Sequence, residues 1–456
     1  MGIYNKLAKI LPNSIQKKLE NNYEIQKIIT NIIWVFGERG IQFLLAIFIG
    51  VLLARYLEPN QFGIYSFGVA FVSIFSIFSQ LGLNGILTRD LVQNSDNNDE
   101  ILGTAFILRL MGCLINLIVG LITIILLRPN DLEVQLFIFL LLISNLFDAF
   151  RVISCWFEAK VLSKYVFIGN SVSLLIYYGL NLIFVILKFP LIAFAISSII
   201  QSVFNVIFLI LSYENFHNKI LNWQFNFTQA KNLLSQSWSL ILSSFGAIIY
   251  LKIDQLMLSQ MTTDTIVGIY SVAVRLSEVW YFIPIAIVSS FFPSLLKAKA
   301  QGIEIYHSKL QKIYDLLVYI ALILAIPITF LGTPFIKLLY GDAYEEAGQI
   351  LSIHIWASVF IFMRSLLSKW LIAENLFVFS FVTHTSGAVV NILLNLILIP
   401  QLGGIGAAIA TLISYATASY FSLFLNSKTW DMAMIMTKAL IVPIRNINSL
   451  ITKKNL

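Results

Sequence analysis

The 456-residue sequence predicts an all-α integral membrane protein, with twelve transmembrane helices in two pseudo-symmetric six-helix bundles. Three observations predict it. Hydrophobic residues make up 58% of the chain and charged residues only 12%, whereas soluble domains are about a quarter charged. Apolar stretches of about 20 residues, enough to cross a bilayer as a helix, recur from one end to the other. The tetrapeptide Gly-Ile-Tyr-Ser occurs twice, at 63–66 and 268–271, and opens an apolar run each time.

The elements follow in order. Residues 1–29 form a charged cytoplasmic segment. It lacks a short apolar core with a cleavage site, so it is not a signal peptide, and its Met-Gly start is not an acylation signal. Windows of about 19 residues place six spans in a first lobe, 30–213, at 30–54, 63–88, 101–127, 132–153, 165–187 and 191–213. A cytoplasmic interlobe loop, 214–233, mixes Trp, Phe and Lys and reads as an interfacial hinge. The second lobe, 234–426, holds spans at 234–259, 267–293, 313–332, 348–369, 377–399 and 404–426. A cytoplasmic tail, 427–456, is suited to lying flat on the leaflet; Lys438, Pro443 and Arg445 disfavour a thirteenth span.

Charge placement orients the chain. Most of the 30 Lys and Arg residues fall in alternate segments that include both ends, among them Lys6, Lys9, Lys17, Lys18, Lys297, Lys299, Lys453 and Lys454. The opposite loops hold four: Arg55, Arg128, Lys188 and Lys337. By the positive-inside rule both termini are cytoplasmic. The outward loops are short, which leaves no external domain to house catalysis. Both tetrapeptides then enter their spans from outside, so the two lobes point the same way. "KFPLIAFAISSII" and "IPQLGGIGAAIATLI" open spans six and twelve alike, with Pro followed by small residues. Transporters built from paired bundles hold substrate between the halves and rock one against the other. Tyr65 and Tyr270 are expected at interface depth, where tyrosines anchor helices.

The stretches "LLARYLEPNQFGIYSFGVAFVSIFSIFSQLGLNGILTRDL", "LKIDQLMLSQMTTDTIVGIYSVAVRLSE" and "IPQLGGIGAAIATLISY" resemble the bacterial Wzx-type polysaccharide flippases of the multidrug/oligosaccharidyl-lipid/polysaccharide exporter superfamily. The likeness runs from about residue 30 to 426. It implies translocation of an undecaprenyl-diphosphate-linked oligosaccharide from the inner to the outer leaflet of the bacterial cytoplasmic membrane, and twelve spans favour the O-antigen or exopolysaccharide branch. The implied partners are the lipid-linked glycan, the bilayer, a polysaccharide polymerase and chain-length proteins.

Ionised side chains inside the membrane cost about 2.5–3.5 kcal/mol or more and mark function or pairing. Arg39 and Arg109 both lie roughly 12–14 Å in from the cytoplasmic side, at about 1.5 Å per residue. Two guanidinium groups at one level suit a diphosphate, whose oxygens Arg holds bidentately. Arg275 is a third candidate. The alternative for Arg39 is neutralisation by Glu38 or another buried acid. Asp148 with Arg151, and Arg275 with Glu278, are three apart and can each neutralise on one helix face. Glu38, Asp148, Arg151 and Asp254 are candidate cavity charges or ion-coupling groups, with Asp254 the best placed for a proton or sodium. Lys252 and Arg364 are expected to snorkel. Polar side chains such as Gln80, Asn84, Asn145 and Tyr177 are candidates for glycan selectivity.

Other chemistries find little support. No basic stripe with interleaved aromatics points to nucleic acid. Cys113 and Cys155 sit within apolar runs and suggest neither a disulfide framework nor a metal site. His354 and His384 lack a second ligand at metal spacing. No Gly-Lys-Ser/Thr phosphate loop exists, so the expected driving force is an H+ or Na+ gradient or product consumption, without a cofactor. A membrane glycosyltransferase would need a sizeable outward loop. An ion-coupled small-molecule or drug antiporter of the same architecture would favour an acidic or apolar cavity over arginines.

Overall fold

The computed structural model describes residues 23–93, 97–216, 219–442 and 445, with side chains described from residue 45 onward except 239, 243 and 377. Among the described residues the fold is helical, without strands. The helices are α1 (Tyr23–Phe75), α2 (Ile77–Gln80), α3 (Asn84–Gln93), α4 (Asn98–Leu127), α5 (Leu132–Leu146), α6 (Val152–Ala159), α7 (Ser163–Ile186) and α8 (Leu191–Glu214). They continue with α9 (Phe227–Met261), α10 (Asp264–Glu278), α11 (Phe282–Gln301), α12 (Ile303–Tyr340), α13 (Ala347–His354), α14 (Ala357–Ala373), α15 (Phe377–Ser419) and α16 (Trp430–Leu440).

Local chemistry sets the boundaries. Asp131 caps α5 by accepting from the Val134 N–H at 3.2 Å, and Thr263 caps α10 by accepting from Ile266 at 3.4 Å; each satisfies a donor that the first helical turn leaves open. Gly302 and Gly341, at φ 137° and 92°, bracket α12, a backbone region that side chains disfavour. A 3₁₀ turn, Phe147–Arg151, separates α5 from α6 in the middle of an apolar stretch.

Ten stretches of described helix are long and apolar enough to cross a membrane. Eight correspond to single spans expected from hydropathy. The other two, Leu45–Gln93 and Val378–Ser419, each join two expected spans across one non-helical residue, Glu58 at φ 55° before Pro59 and Gly403 at φ 54° after Pro400. Pro59 withdraws a backbone donor and disfavours helix at Glu58 before it, and Gly403 takes a positive φ that glycine adopts without penalty, so the chain kinks at these points without a true loop.

The chain forms two compact units. Of the described residues, the first takes those up to Leu53 and those within Phe75–Ile241; the second takes Ala54–Ile74 and those from Leu242 onward. Residues 54–74 thus pack with the second unit, whereas hydropathy and order along the chain put them in the first lobe. Two contacts hold them there. The Arg55 guanidinium donates to the carbonyls of Leu338 and Leu339 at 2.7 and 2.6 Å, serving carbonyls that the end of α12 leaves open. The Tyr344 hydroxyl donates to the Ala54 carbonyl at 2.8 Å.

The repeated tetrapeptide makes a third contact, with itself. A Cβ on Gly63 would overlap the Asp264 carbonyl and stand 3.0 Å from the Gly268 nitrogen. A Cβ on Gly268 would overlap the Pro59 carbonyl and stand 3.0 Å from the Gly63 nitrogen. The two copies cross backbone to backbone, a packing that small residues permit between membrane helices. Tyr65 and Tyr270 are buried within the protein, with Tyr270 hydrogen-bonded to Asp254.

Each unit has its own core. In the first, Leu87, Leu102, Val152, Phe157 and Tyr213 are buried together, and the connecting segment docks onto it: Trp223 donates to the Tyr213 hydroxyl at 3.3 Å, and the Asn226 N–H to Thr104 Oγ1 at 3.0 Å. In the second, α12, α14 and α16 bury Tyr314, Leu317, Phe362, Met363, Met432 and Met436. Helix α16 is therefore a core element, where the sequence suggested a segment lying on the leaflet.

Candidate functional site

Polar groups in a hydrocarbon setting are costly unless partnered, so buried polar clusters locate the candidate chemistry. The second unit holds a carboxylate cluster where α9, α10 and α15 meet. Asp254 is 3% exposed. Its Oδ2 accepts from the Tyr270 hydroxyl at 2.8 Å and from the Thr411 hydroxyl. Its Oδ1 accepts from Asn395 Nδ2 at 2.6 Å, and the same amide donates to Asn391 Oδ1 at 3.1 Å. Asn395 Oδ1 is buried without a hydrogen-bond partner among the described residues. Carboxylate, hydroxyl and carboxamide oxygens gathered on three helices can hold a small hard cation, or a proton shared across the carboxyl. The sequence singled out Asp254; it could not supply Asn395 and Thr411, which lie 141 and 157 residues away.

In the first unit, Arg109 on α4 is 1% exposed. Its Nη2 donates to Asn84 Oδ1, which also receives the Cys155 thiol at 3.8 Å, and its Nε is buried without a partner. No carboxylate lies within ion-pair distance of it among the described residues; Asp148 and Arg151 act on it only through longer-range electrostatics. Asp148 and Arg151 pair with each other at 3.6 Å, as their spacing suggests. The Arg39 and Glu38 side chains lie outside the described ones.

Arg275 of α10 lies over the rings of Phe62 and Tyr65, 5.1 and 5.8 Å from their centroids, a placement in which aromatic faces stabilise a cation. It forms no ion pair with Glu278 despite the three-residue spacing. Glu278 pairs with Lys252 at 3.4 Å instead, because α10 ends there and turns its last side chain toward α9. Lys252 is thus tied to a carboxylate and does not snorkel. Neither does Arg364, which is 5% exposed: its Nη1 donates to Thr383 Oγ1 at 2.8 Å and to the Ala418 carbonyl at 2.7 Å, and its Nη2 meets His384 Nε2 at 2.7 Å. Distance to a helix end is a property of α14 alone, and it carries no information about the neighbouring α15. His354 is satisfied by Ser277 at 2.9 Å, and no group of three or more His, Cys, Asp or Glu among the described residues could hold a metal ion.

Residues 28–299 match the family model described as "Polysaccharide biosynthesis protein". The "Probable flippase AglR" of Haloferax volcanii is 31% identical over 184 residues, 38% of this chain and 37% of that protein. The chain thus aligns with well under half of that relative's length. Among solved structures, the inward-facing conformation of a multidrug resistance MATE family transporter of the MOP superfamily superposes with a TM-score of 0.68 at 15% identity, over 89% of this chain and 98% of that one. The lipid II flippase MurJ, in an inward closed conformation, superposes with a TM-score of 0.64 at 16% identity, over 91% of both chains. The fold is that of the MOP-type transporters.

Proposed function

The chain belongs to the polysaccharide biosynthesis protein family, and from that premise we propose that it is a flippase. Its cargo in this reading is an undecaprenyl-diphosphate-linked oligosaccharide, moved from the cytoplasmic to the outer leaflet by alternating access for O-antigen or exopolysaccharide synthesis. The observation that supports the reading is that two arginines set within apolar spans, one in each unit, have no carboxylate at ion-pair distance among the described residues: Arg109 donates to Asn84, and Arg275 lies over Phe62 and Tyr65. A diphosphate would supply the missing negative charge and accept bidentate hydrogen bonds. Arg39 is proposed as a third member of that set. The oligosaccharide stays in water and the polyprenyl tail in lipid.

Asp254 is proposed as the coupling group, alternately protonated or sodium-bound, with Tyr270, Thr411 and Asn395 as its partners. Occupancy there would bias one packing of α9, α10 and α15 over another, and a ligand shifts an equilibrium only by its differential affinity for the two states. Twelve spans in two six-helix lobes, with both termini cytoplasmic, complete the proposal.

A second reading, an ion-coupled antiporter of small molecules, draws on the likeness to the multidrug transporter fold. Deleting the gene and following lipid-linked glycans in each leaflet separates the two. Under the flippase reading the intermediate accumulates on the cytoplasmic face. Arrival at the outer leaflet at the normal rate would remove that reading.

A further inference from the structure

The first unit contains a polar pocket unlike its other buried polar contacts. It has a volume of about 310 Å³ and is lined by Phe147, Asp148, Arg151, Asn170, Gln201, Ser202 and Asn205, with Leu174 and Val206. Three elements build it. The 3₁₀ turn Phe147–Arg151 interrupts the α5–α6 span and brings Asp148 and Arg151 to one side; such breaks within a helix often mark functional positions. Asn170 lies seven residues into α7 and Asn205 nine residues from the end of α8, about 10 and 14 Å from the same end of that helix pair. Asn205 Nδ2 donates to Asn170 Oδ1 at 2.9 Å.

About two to three turns further along the same two helices, Asn181 accepts from the Ser197 hydroxyl at 2.8 Å, and both are sealed in the protein. That pair is interhelical glue of the usual membrane kind. The residues around Asn205 differ. They are half-buried, they open onto one cavity, and Gln201 and Ser202 have no protein hydrogen-bond partner among the described residues.

The chemistry on offer is specific. Asp148 and Arg151 cancel in formal charge, so the pocket has little preference for an ion. Carboxamides and a hydroxyl present donors and acceptors side by side, matching groups that do both, which in practice means sugar hydroxyls. Phe147 and Leu174 give the apolar wall on which the C–H face of a pyranose can rest. The volume lies at the low end of the ~300–1,000 Å³ usual for ligand pockets, enough for one sugar ring. We propose that this pocket is a saccharide subsite that binds one ring of the glycan headgroup through Asn170, Gln201, Ser202 and Asn205, with the Asp148–Arg151 pair as a bidentate donor and acceptor. The proposal rests on the flippase reading and adds the place where the glycan, as distinct from its diphosphate, is recognised.

The test uses the purified full-length protein in nanodiscs and a panel of methyl glycosides of hexoses and N-acetylhexosamines, read by saturation-transfer NMR. At least one glycoside should bind, and its deoxy analogues should bind about three- to tenfold more weakly for each hydroxyl removed. Gln201→Ala, a side chain with no protein partner to lose, should weaken binding by a similar factor without changing thermal stability; Asn205→Leu should abolish it. Inorganic diphosphate, the second probe, should bind wild type and Gln201→Ala alike. If no glycoside in the panel binds, or if binding ignores both substitutions, the subsite is wrong. Translocation of a lipid-linked glycan, measured in parallel, keeps the two claims apart. Glycoside binding without translocation would support the subsite and refute the flippase reading, and translocation without glycoside binding would refute the subsite alone.

Discussion

Gly63→Ala adds one methyl group at the crossing of the two Gly-Ile-Tyr-Ser segments. That methyl would collide with the Asp264 carbonyl and sit 3.0 Å from the Gly268 nitrogen. Comfortable contacts between such atoms begin near ~3.5 Å, and backbone on both sides leaves no side chain to swing aside, so the helices must part by an ångström or so. Overfilling a packed site costs about 1–3 kcal/mol, and this geometry belongs at the upper end. Alanine returns about 1 kcal/mol over glycine as a better helix former. The net is a loss of about 2 kcal/mol, roughly a thirtyfold change in equilibrium constant. Gly268→Ala should behave alike. The double variant should cost clearly less than the two singles together, since one gap admits both methyls and contacting sites are not additive. Gly179 has nothing within 4 Å of a Cβ, so Gly179→Ala should be neutral or stabilising. Reversible denaturation in mixed detergent micelles measures all four variants. If Gly63→Ala or Gly268→Ala matched Gly179→Ala, or if the singles summed fully in the double, the backbone-to-backbone crossing would be refuted.

Asp254→Asn keeps the shape of the carboxylate cluster and removes its charge; transport should lose its dependence on the coupling ion while the protein still inserts and folds, which counterflow and ion-gradient measurements check. Asp254→Leu should instead lower stability by about 2–4 kcal/mol, because it strands the Tyr270, Thr411 and Asn395 donors; a stable, well-folded Leu variant would contradict the hydrogen-bond set. Arg364→Lys cannot reach Thr383, Ala418 and His384 together and should cost about 1.5–3 kcal/mol in denaturation, because lysine lacks the planar fork; a change under about 0.5 kcal/mol would mean that the fork carries no weight. Arg109→Ala should insert normally and stop glycan export, and export at the wild-type rate would remove its proposed role.

What the sequence disclosed follows from the range of the interactions. Spans are local: about 20 apolar residues announce themselves without reference to the rest of the chain. The Asp148–Arg151 pair is legible for the same reason, its members being three residues apart. Tyr270 escapes such a reading because interface depth is a property of one helix, whereas its hydrogen bond to Asp254 belongs to a meeting of three. Lys252, Arg364 and the α16 tail escape it likewise: each finds its partners on another element, and a lone cation near a helix end looks the same in sequence whether it snorkels or is clasped. Glu58 and Gly403 fall in the short connections between hydropathy windows, at 55–62 and 400–403; the chain kinks at both points and continues as helix.

Helix α16 bears on how the membrane orientation of this protein should be mapped. The usual method cuts the gene after successive spans and attaches an enzyme or fluorescent reporter. Any such fusion made before Trp430 would remove Met432 and Met436 from the core they share with α12 and α14, leaving an unfilled trough inside the second unit. Reporter signals from those cuts would record quality control acting on a damaged protein. Insertions within loops, with α16 left in place, give the orientation without that artefact.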